Sequence, residues 1–552
     1  MDAKITDDFD FCLALTFKKI LSRFHKKFFA RVISRDSGMV PTGFFGQKAC
    51  RAVTSEMGVR LSLPQLFIHL LTKLTTDLWY SGVVLSCCPS GRVNMASMPA
   101  CFAGRSGFES SLRSHFKKQK QSDYMEFADI KKIFDGELKQ ARIHCWLHNK
   151  RSSGGVQFLI VRDGTEFIQC TLKKSGVKNF DEIERLPSES VLEIEGEVRK
   201  DERAPGGYEI VAKDVKILSV AQKDFPITKK AHGVDYLLDN RHLWIRSKKI
   251  KNIMTVRAKL LETAREWFKE NGFLEVQVPT IVSAAVEGGS TLFEVKYFDT
   301  KAYLTQSWQL YGEAVISGLG KCYTIAPSFR AEFSRTRRHL TEYWHMEAEM
   351  PFCDMECLMK IEEELLTYIA HKVAKECEKE LKELKRDSKD LMKVKIPFPR
   401  ITYGEALKIL DKKGVKIKYG DRLGADEEDI LTKQFDVPFF VTHFPKECAA
   451  FYHKRDPKNP NLTLSVDMYA PGCGEIFGSG QRIDDFDEMV KAMKEAELKP
   501  ENYSWYLDLL KWGAVEHSGF GMGVERVLTW ICSLKHIRDA ILFPRFINRI
   551  KP

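Results

Sequence analysis

Hydrophobic and polar positions alternate in short stretches between residues 138 and 222. A period of two is the pattern of a β-strand with one buried face. Turn residues separate the stretches, such as Asp163 followed by Gly164 and the segment Pro205–Gly207. Strands are predicted in this way at residues 141–148, 156–164, 167–172, 190–198 and 208–218. Five short strands with such turns indicate a small β-barrel of the OB type, which we place at residues 125–222.

The spacing of hydrophobic residues changes after residue 246. Apolar residues recur at steps of three and four between Ile250 and Phe268, which predicts an amphipathic helix that stops at Asn271 and Gly272. The strand that follows contains Pro279, and a proline within a strand favours a sheet edge or an interface. The length of the remaining chain predicts a second, larger domain. We place it at residues 247–552, after a hinge at residues 223–246.

The basic residues are distributed unevenly along the chain. The 552 residues carry a net charge of +11, but residues 1–124 hold 18 Lys+Arg against nine Asp+Glu. The remaining 68 basic and 66 acidic residues nearly balance, so the body would bind nucleic acid through local patches. Residues 17–29 form a possible basic amphipathic helix, which suits a transit peptide, a membrane-surface helix or an RNA-binding extension. A mistaken extension ahead of a start at Met125 explains the segment equally well, so it stays unassigned.

Fourteen cysteines are scattered without metal-ligand spacing. The closest grouping, Cys353 and Cys357, lacks the second ligand pair that a zinc site needs. Reduced thiols in a cytoplasmic protein are therefore predicted. No stretch of 18 apolar residues is present, so no transmembrane helix and no membrane partner are predicted.

Candidate chemistry is concentrated in three stretches of the larger domain. Residues 329–332 read Phe-Arg-Ala-Glu, residues 338–343 read Arg-His-Leu-Thr-Glu-Tyr, and residues 519–526 read Gly-Phe-Gly-Met-Gly-Val-Glu-Arg. In this order they resemble motifs 2 and 3 of the class II aminoacyl-tRNA synthetases, which hold a bent ATP on an antiparallel sheet flanked by helices. The helix and proline-containing strand after residue 246 resemble motif 1 of that family, which builds a homodimer contact. The resemblance spans residues 130–552 and implies an α+β multidomain fold, with an N-terminal OB-fold barrel and a class II catalytic domain.

Activating an amino acid with ATP brings two anions together, so the site needs fixed cations near the phosphates. The resemblance assigns Arg330 to the α-phosphate and the amino-acid carboxylate, and Arg338 and Arg526 to the terminal phosphates. It assigns Glu332 to the adenine amino group and Tyr343 to stacking beneath the ring. Other implied ATP-binding residues are His339, Leu340, Glu475 and Gly523, and Arg330, Glu475 and Arg526 form the implied catalytic set. Asp467 and Glu475 match the family carboxylates that hold Mg²⁺, the implied cofactor beside ATP.

The segment 305–313 occupies the place of the family's amino-acid pocket. Aspartyl enzymes carry a lysine directly after its aromatic residue, whereas asparaginyl enzymes carry a glutamate one position later, where Glu313 stands. A carboxylate there accepts a hydrogen bond from the asparagine amide and repels aspartate. The resemblance assigns Arg482 to the side-chain oxygen, and Glu287, Ser307 and Gln309 to the α-ammonium group.

Two sets of residues are assigned to tRNA by the same resemblance. Arg335 and Arg337 lie in the loop that reaches the acceptor end of tRNA, and the Ser-Arg-Thr-Arg sequence around them is similar to the asparaginyl branch. On the barrel, Arg151, Phe158 and Gln169 occupy the positions that read the central anticodon uridine by stacking and edge hydrogen bonds.

Three residues depart from the family pattern, namely Gly312, Trp308 and Glu516. Gly312 replaces a leucine and Trp308 replaces a small residue or proline. Because both belong to the pocket segment, they change its expected shape.

These resemblances imply a homodimeric, cytoplasmic asparaginyl-tRNA synthetase of the archaeal and eukaryotic cytosolic type. Such an enzyme joins L-asparagine to ATP, giving asparaginyl-adenylate, and passes the asparaginyl group to tRNA(Asn). The alternatives are an aspartyl-tRNA synthetase, including a non-discriminating one, an asparagine synthetase derived from the same fold, and a non-catalytic RNA-binding paralogue. Glu313 argues against the aspartyl enzyme, and the barrel argues against the asparagine synthetase. The retained charges of the ATP site argue against the non-catalytic paralogue.

Overall fold

The computed structural model describes residues 126–552, apart from residues 229, 285, 287–290 and 335. The extension predicted at residues 1–124, the alternative start at Met125, and the site residues Glu287 and Arg335 lie outside the described residues. The described part of the chain contains a closed β-barrel followed by a larger unit built on one extended sheet.

Five strands close into a barrel in the order β1-β2-β3-β5-β4, and two short helices accompany them. The elements are β1 (Gln140–Ser153), β2 (Val156–Arg162), β3 (Phe167–Lys173), β4 (Val191–Lys200), β5 (Tyr208–Ser219), α1 (Ile130–Ile133) and α2 (Phe180–Arg185). Neighbours are antiparallel except for β3 and β5. Alternate side chains of β1, such as Ile143, Cys145 and Leu147, are buried and fill the interior. The OB-fold barrel predicted from the period of two is confirmed.

The larger unit is built on an eight-stranded sheet with two small sheets beside it. Its strands are β6 (Leu274–Glu275), β7 (Ile281–Val282), β8 (Glu294–Tyr297), β9 (Thr300–Leu304), β10 (Cys322–Phe329), β11 (Glu342–Pro351), β12 (Arg400–Thr402), β13 (Phe439–Thr442), β14 (Arg455–Asp456), β15 (Asn459–Thr463), β16 (Ser465–Ala470), β17 (Gly474–Gln481) and β18 (His517–Gly523). The main sheet has the order β12-β13-β16-β17-β18-β11-β10-β6. Its six central strands are antiparallel and its two edge strands pair in parallel, so the predicted antiparallel sheet is confirmed apart from its edges.

Helices cover one face of this sheet and its ends. They are α3 (Val234–Asp239), α4 (Arg241–Trp244), α5 (Lys248–Glu270), α6 (Gln309–Leu319), α7 (Met355–Glu376), α8 (Glu378–Glu383), α9 (Ser388–Met392), α10 (Tyr403–Lys412), α11 (Ala425–Thr432), α12 (Phe486–Glu495), α13 (Ser504–Lys511) and α14 (Val524–Ile531). The predicted amphipathic helix is α5, and it packs with α7 against Met346, Ala348 and Met350 of β11 in the main core. On the opposite face α10 and α11 pack against β13 and β16, and two cavities open over the central strands.

The segment predicted as a hinge contains α3 and α4 and is anchored to the larger unit. Arg241 is 1% exposed, and its guanidinium donates hydrogen bonds to the backbone oxygens of Leu542 and Ile541, each at 2.7 Å. An ion pair joins the barrel to the larger unit, because Glu166 Oε1 lies 3.2 Å from Lys251 Nζ of α5. No helix among the described residues has the length and apolar character needed to cross a membrane.

The prediction that all thiols are reduced is wrong for one pair. Cys353 and Cys357 form a disulfide at the start of α7, with Cα atoms 5.4 Å apart. One residue lies just before the helix and the other lies in its first turn, which brings the Cα atoms within the range that a disulfide spans. The other cysteines of the described part are free.

A buried carboxyl group lies between α7 and the sheet and makes stability depend on pH. Burial raises the pKa of Glu362 to about 8, against an ordinary value of 4.5, although Ser479 and Arg482 oppose the shift. Below pH 4.5 both folded and unfolded chains hold the proton, whereas between 4.5 and 8 only the folded chain does. Stability is therefore lost as pH rises through this window, by several kcal/mol at about 1.4 kcal/mol per pKa unit.

We expect Glu362→Gln to flatten this dependence, because an amide of the same shape does not titrate. The free energy of unfolding in urea, measured from pH 5 to pH 9, checks the prediction. Glu364→Gln, a partly exposed position on the same helix, is the matched control. Equal slopes in wild type and Glu362→Gln contradict it.

Candidate active site

The open face of the main sheet is lined by alternate residues of its central strands. On β11 these are His345, Glu347 and Glu349, and their neighbours across to β18 are glycines. A Cβ atom on Gly521 would lie 2.5 Å from His345 Nε2, and one on Gly519 would lie 2.1 Å from Glu349 Oε1. The glycine-rich motif is thus required because charged side chains of the next strand lie directly over it.

Two adjoining cavities open on this face. The larger cavity, of about 560 Å³, contains Ser307, Gln309, Asp467 and Arg482 among its lining residues. The smaller cavity, of about 70 Å³, lies beside it. Arg330, His345, Glu475 and Gly521 line both cavities. A group held by Arg330 is therefore within reach of ligands in either cavity, which is the geometry needed to join two substrates.

The structure brings the predicted nucleotide residues together around the smaller cavity. Its lining includes Arg330, Arg338, His339, Leu340, Tyr343, Glu475, Gly523 and Arg526. Glu332 lines the larger cavity instead, near the junction, with its carboxylate 3.9 Å from Arg330 Nη1 and 3.4 Å from His339 Nε2. Burial and the neighbouring Arg526 lower the pKa of His339, so this ring is neutral at physiological pH.

Arg338 lies at the cavity but is held by acidic residues that sequence reasoning did not identify. Its guanidinium bonds Glu428 of α11 at 2.9 Å and also contacts Asp429. Burial and the charge of Glu475 raise the pKa of Glu428 to about 7, because Arg526 and Arg338 only partly offset them. These acids follow Ala425 in a helix with no family motif, so the residues around them gave no signal.

A buried ion pair lies in the wall of the larger cavity. Arg482 donates from Nη2 to Glu349 Oε1 at 2.7 Å, and both side chains are at most 3% exposed. Burial raises the pKa of Glu349 to about 7, with Glu313 adding to the shift and Arg482 opposing it. His453 lies 3.4 Å from Arg482 Nη1, and burial with the Arg482 charge keeps it neutral by lowering its pKa. One donor and one acceptor group therefore stand side by side at the cavity wall.

Glu313 is buried behind this wall and does not line the cavity. Its Oε2 accepts hydrogen bonds from the Tyr506 hydroxyl at 2.6 Å and from His517 Nε2 at 3.2 Å, and its Oε1 accepts one from Gln309 at 2.9 Å. Burial works against its charge, but His517, Arg482 and Tyr506 together outweigh burial and lower the pKa of Glu313. Glu313 is thus an ionised group whose charge is satisfied inside the protein. Of the two glutamates Glu313 and Glu349, Glu349 is the one that lines the cavity.

Glu347 and Glu349 were missed because they lie outside the family motifs. Glu349 pairs with Arg482, and Glu347 accepts hydrogen bonds from the Ser307 hydroxyl and from the Trp308 backbone at 3.1 Å. A signal was present in the sequence, because charged residues alternate with Met346, Ala348 and Met350. That period of two places the charged residues on the face opposite the core.

Trp308 and Gly312, which depart from the family pattern, compensate for each other. A Cβ atom on Gly312 would lie 2.8 Å from the Trp308 ring and 3.0 Å from Glu349 Cγ. The indole of Trp308 therefore occupies the space that a leucine at position 312 would need. We expect Gly312→Leu to destabilise the fold by about 1–3 kcal/mol through overpacking. Gly318→Leu is the matched control on the same helix, because open space surrounds that position.

Urea unfolding of a double-mutant cycle checks this compensation. In a Trp308→Gly background the penalty for Gly312→Leu should disappear, because the ring is gone. Additive penalties would show that the two residues do not share one space.

The two predicted metal ligands, Asp467 of β16 and Glu475 of β17, lie on either side of Gly478. A Cβ atom on Gly478 would lie 3.2 Å from Glu475 Oε1 and 3.9 Å from Asp467 Oδ1. Burial and the charges of Glu475 and Glu428 raise the pKa of Asp467. A divalent cation would relieve this repulsion, so the residues fit Mg²⁺. Among the described residues, no group of three or more side chains that could hold a metal ion occurs.

The predicted RNA-reading residues share the outer face of the barrel. Arg151 pairs with Phe158 across β1 and β2, and its guanidinium lies 4.6 Å from the centre of that ring. Gln169 of β3 lies next to Phe158's strand and is directed to the same face, because its neighbours Ile168 and Cys170 fill the core. Arg337 belongs to the larger unit, where its guanidinium lies 2.6 Å from the Asp429 carboxylate.

Comparison with known protein families agrees with this geometry. Residues 233–547 match the model for class II tRNA synthetases (D, K and N), and residues 141–218 match the OB-fold nucleic acid binding domain. The chain therefore belongs to the class II tRNA synthetases.

Individual relatives indicate the group within this class to which the chain belongs. An asparagine–tRNA ligase from Thermoplasma acidophilum is 49% identical over 415 residues, which cover 74% of this chain and 96% of the relative. A crystal structure of asparaginyl-tRNA synthetase from Pyrococcus horikoshii with asparaginyl-adenylate is 44% identical, with a TM-score of 0.75, covering 78% of this chain and 100% of that one. The Entamoeba histolytica asparaginyl-tRNA synthetase with the same ligand is 33% identical, with a TM-score of 0.69, covering 75% and 96%. Within its class, the chain belongs to the asparagine–tRNA ligases, and the resemblance predicted from the motifs is confirmed.

Proposed function

We propose that this chain activates L-asparagine with ATP and transfers the asparaginyl group to tRNA(Asn). The observation that carries the proposal is the position of Arg330 at the junction of two cavities, one with phosphate-binding arginines and one with the Arg482–Glu349 pair. The family to which the chain belongs and the adenylate bound by its relatives support the same reaction.

In the first step the asparagine carboxylate attacks the α-phosphorus of ATP and pyrophosphate leaves. Arg330 holds both anions, and Arg526 and Arg338 hold the terminal phosphates. Glu332 binds the adenine amino group, and Tyr343 stacks beneath the ring. Asp467 and Glu475 would hold Mg²⁺, which neutralises phosphate charge when bound. No side chain acts as a covalent nucleophile, so positioning and charge stabilisation supply the rate.

Selection of the amino acid depends on the side-chain amide of asparagine. Its oxygen accepts from Arg482 and its nitrogen donates to Glu349, which replaces Glu313 as the direct reader. Glu313 supports this pair from behind the wall. Ser307, Gln309 and Glu287 contact the α-ammonium group of asparagine.

In the second step the asparaginyl group passes to tRNA. Arg335 and Arg337 contact the acceptor end of tRNA, while Arg151, Phe158 and Gln169 bind the central anticodon base. The chain functions as a homodimer through α5 and the exposed edge strand β6, where Leu274 is 48% exposed. It acts in the cytoplasm.

ATP–pyrophosphate exchange measured separately with asparagine and aspartate tests the proposal. We expect strong exchange with asparagine and at least a hundredfold weaker exchange with aspartate. A preference for aspartate would assign the chain as an aspartyl enzyme. Exchange with neither amino acid, with tRNA binding intact, would assign it as a non-catalytic paralogue. Release of free asparagine from aspartate, ATP and ammonia would point to an asparagine synthetase.

A further inference from the structure

Glu166 is a nearly buried carboxylate of the barrel that binds two cations of the larger unit. It lies in the turn between β2 and β3 and is 6% exposed. Its Oε1 accepts hydrogen bonds from Lys251 Nζ of α5 at 3.2 Å and from Lys379 Nζ of α8 at 2.5 Å. Burial opposes the charge of Glu166, but the two lysines outweigh burial and lower its pKa. We call these three residues the Glu166 cluster.

The barrel and the larger unit are also joined at a second point. Glu189, in the loop before β4, lies 2.8 Å from Arg246 of the hinge segment and also bonds Arg162 of β2. The ammonium of Lys379 lies 5.3 Å from the ring centre of Phe134, which precedes β1 in the barrel. Because the two units are held at more than one point, these contacts oppose rotation of the barrel as well as its separation.

A buried ion pair restricts geometry more reliably than it adds stability. Domains of one chain move relative to one another by default unless a large apolar interface holds them. A carboxylate shared by two ammonium groups favours the few arrangements in which both remain paired, since an unpaired buried charge is costly. A tRNA bound on the barrel must bring its acceptor end to Arg330. The angle between the two units therefore decides whether that end reaches the active site.

We propose that Glu166 is a positioning residue that holds the barrel in the orientation from which a bound tRNA reaches the active site with its acceptor end. The inference rests on the proposed function, since it concerns the tRNA of that function. Glu166 lines neither cavity. It is thus assigned a role in the transfer to tRNA and none in the activation of asparagine.

Glu166→Gln in the full chain tests the inference, because the amide keeps the shape of the side chain but lacks the charge that binds both lysines. A displacement of about 1 Å between reacting groups can cost about a hundredfold in rate. With the second joining point intact, we expect the kcat/KM for aminoacylation of a complete tRNA(Asn) transcript to fall about tenfold. Pyrophosphate exchange without tRNA and binding of an isolated anticodon stem-loop should not change, since each uses one unit alone.

A second variant alters the same cluster from the larger unit. The side chain of Lys379 is 51% exposed, so Lys379→Gln disturbs the fold little. We expect the same pattern with a smaller loss of about threefold, because Lys251 still pairs with Glu166. If Glu166→Gln does not fold, this variant decides alone.

Glu193→Gln is the matched control, because it makes the same change wholly inside the barrel. Glu193 of β4 is 9% exposed and binds two cations of the barrel, Arg142 at 2.7 Å and Lys216 at 2.9 Å. It makes none of the contacts that join the two units. Charging of the complete tRNA by this variant should stay within about twofold of wild type.

Three outcomes overturn the inference. The first is charging of the complete tRNA by Glu166→Gln within about twofold of wild type. The second is an equal loss of exchange or of stem-loop binding in that variant, which indicates structural damage. The third is an equal loss of charging in Glu193→Gln, which shows that the contact between the units is not the cause.

Exchange with neither amino acid in wild type would contradict the proposed function instead. Equilibrium binding then tests Glu166 without catalysis. A complete tRNA gains affinity over its stem-loop only when the geometry lets it contact both units at once. We expect Glu166→Gln to lower that gain about tenfold, and an unchanged gain overturns the inference.

Discussion

Replacing Arg330 with alanine should lower asparagine-dependent pyrophosphate exchange by about a thousandfold. Arg330 lines both cavities, so its loss removes a cation that the proposed function assigns to the attacking carboxylate and the α-phosphate. Removing a single preorganised donor from a transition-state site costs on the order of 10²–10³ in kcat. Loss of the orienting contact to the second substrate adds to this effect.

Arg330→Lys separates charge from geometry. Lysine keeps the charge but lacks the planar fork that can bind two oxygens at once. We therefore expect an intermediate loss of about a hundredfold. Arg400→Ala is the control, because Arg400 lies on the edge strand β12, pairs with Glu356 at 2.6 Å and lines neither cavity. Exchange by Arg330→Ala within tenfold of wild type would show that Arg330 has no part in the chemistry.

The residues that the sequence predicted well are those whose type and spacing satisfy a local requirement. Arg330 and Arg526 lie in motifs whose adjacent residues fix the local backbone. The residues that line the smaller cavity could therefore be predicted from the sequence. The period of two predicted the strands of the barrel. The alternation of buried and exposed side chains along a strand can be recognised without information from distant parts of the chain.

The residues that were missed depend on contacts distant in sequence. Arg338 was predicted, but its partner Glu428 lies ninety residues further on, in a helix without a motif. Glu349 meets Arg482 across 133 residues, and only the strand register of β11, β17 and β18 brings them together. Glu313 was placed in the pocket because the motif around it matched. Whether its carboxylate faces the cavity or His517 is decided by tertiary packing, which a motif does not contain.

The disulfide between Cys353 and Cys357 is a similar case. Spacing alone could exclude a complete zinc site, but the approach of the two sulfurs depends on where α7 begins. A helix start is among the least certain features of a sequence pattern.

Glu349→Gln should lower the preference for asparagine over aspartate by at least about a hundredfold in kcat/KM. In wild type an aspartate side chain would bring a second carboxylate against Glu349 in a buried wall, where like charges are strongly unfavourable. The glutamine variant removes that repulsion. It also leaves the buried Arg482 without its ionic partner, and an aspartate carboxylate can replace the lost charge. Aspartate activation should therefore rise while asparagine activation falls.

Glu313→Gln is the matched variant, because it makes the same chemical change one layer behind the wall. Tyr506 and His517 would lose an ionised acceptor, so we expect a loss of stability of about 1–3 kcal/mol in urea unfolding. The preference for asparagine should change by less than tenfold, since Glu313 does not line the cavity. Exchange assays with both amino acids on both variants decide between the two glutamates. If Glu313→Gln abolished the preference and Glu349→Gln preserved it, the residue first indicated by the motif would be the true selector, and the cavity wall would have to rearrange when asparagine binds.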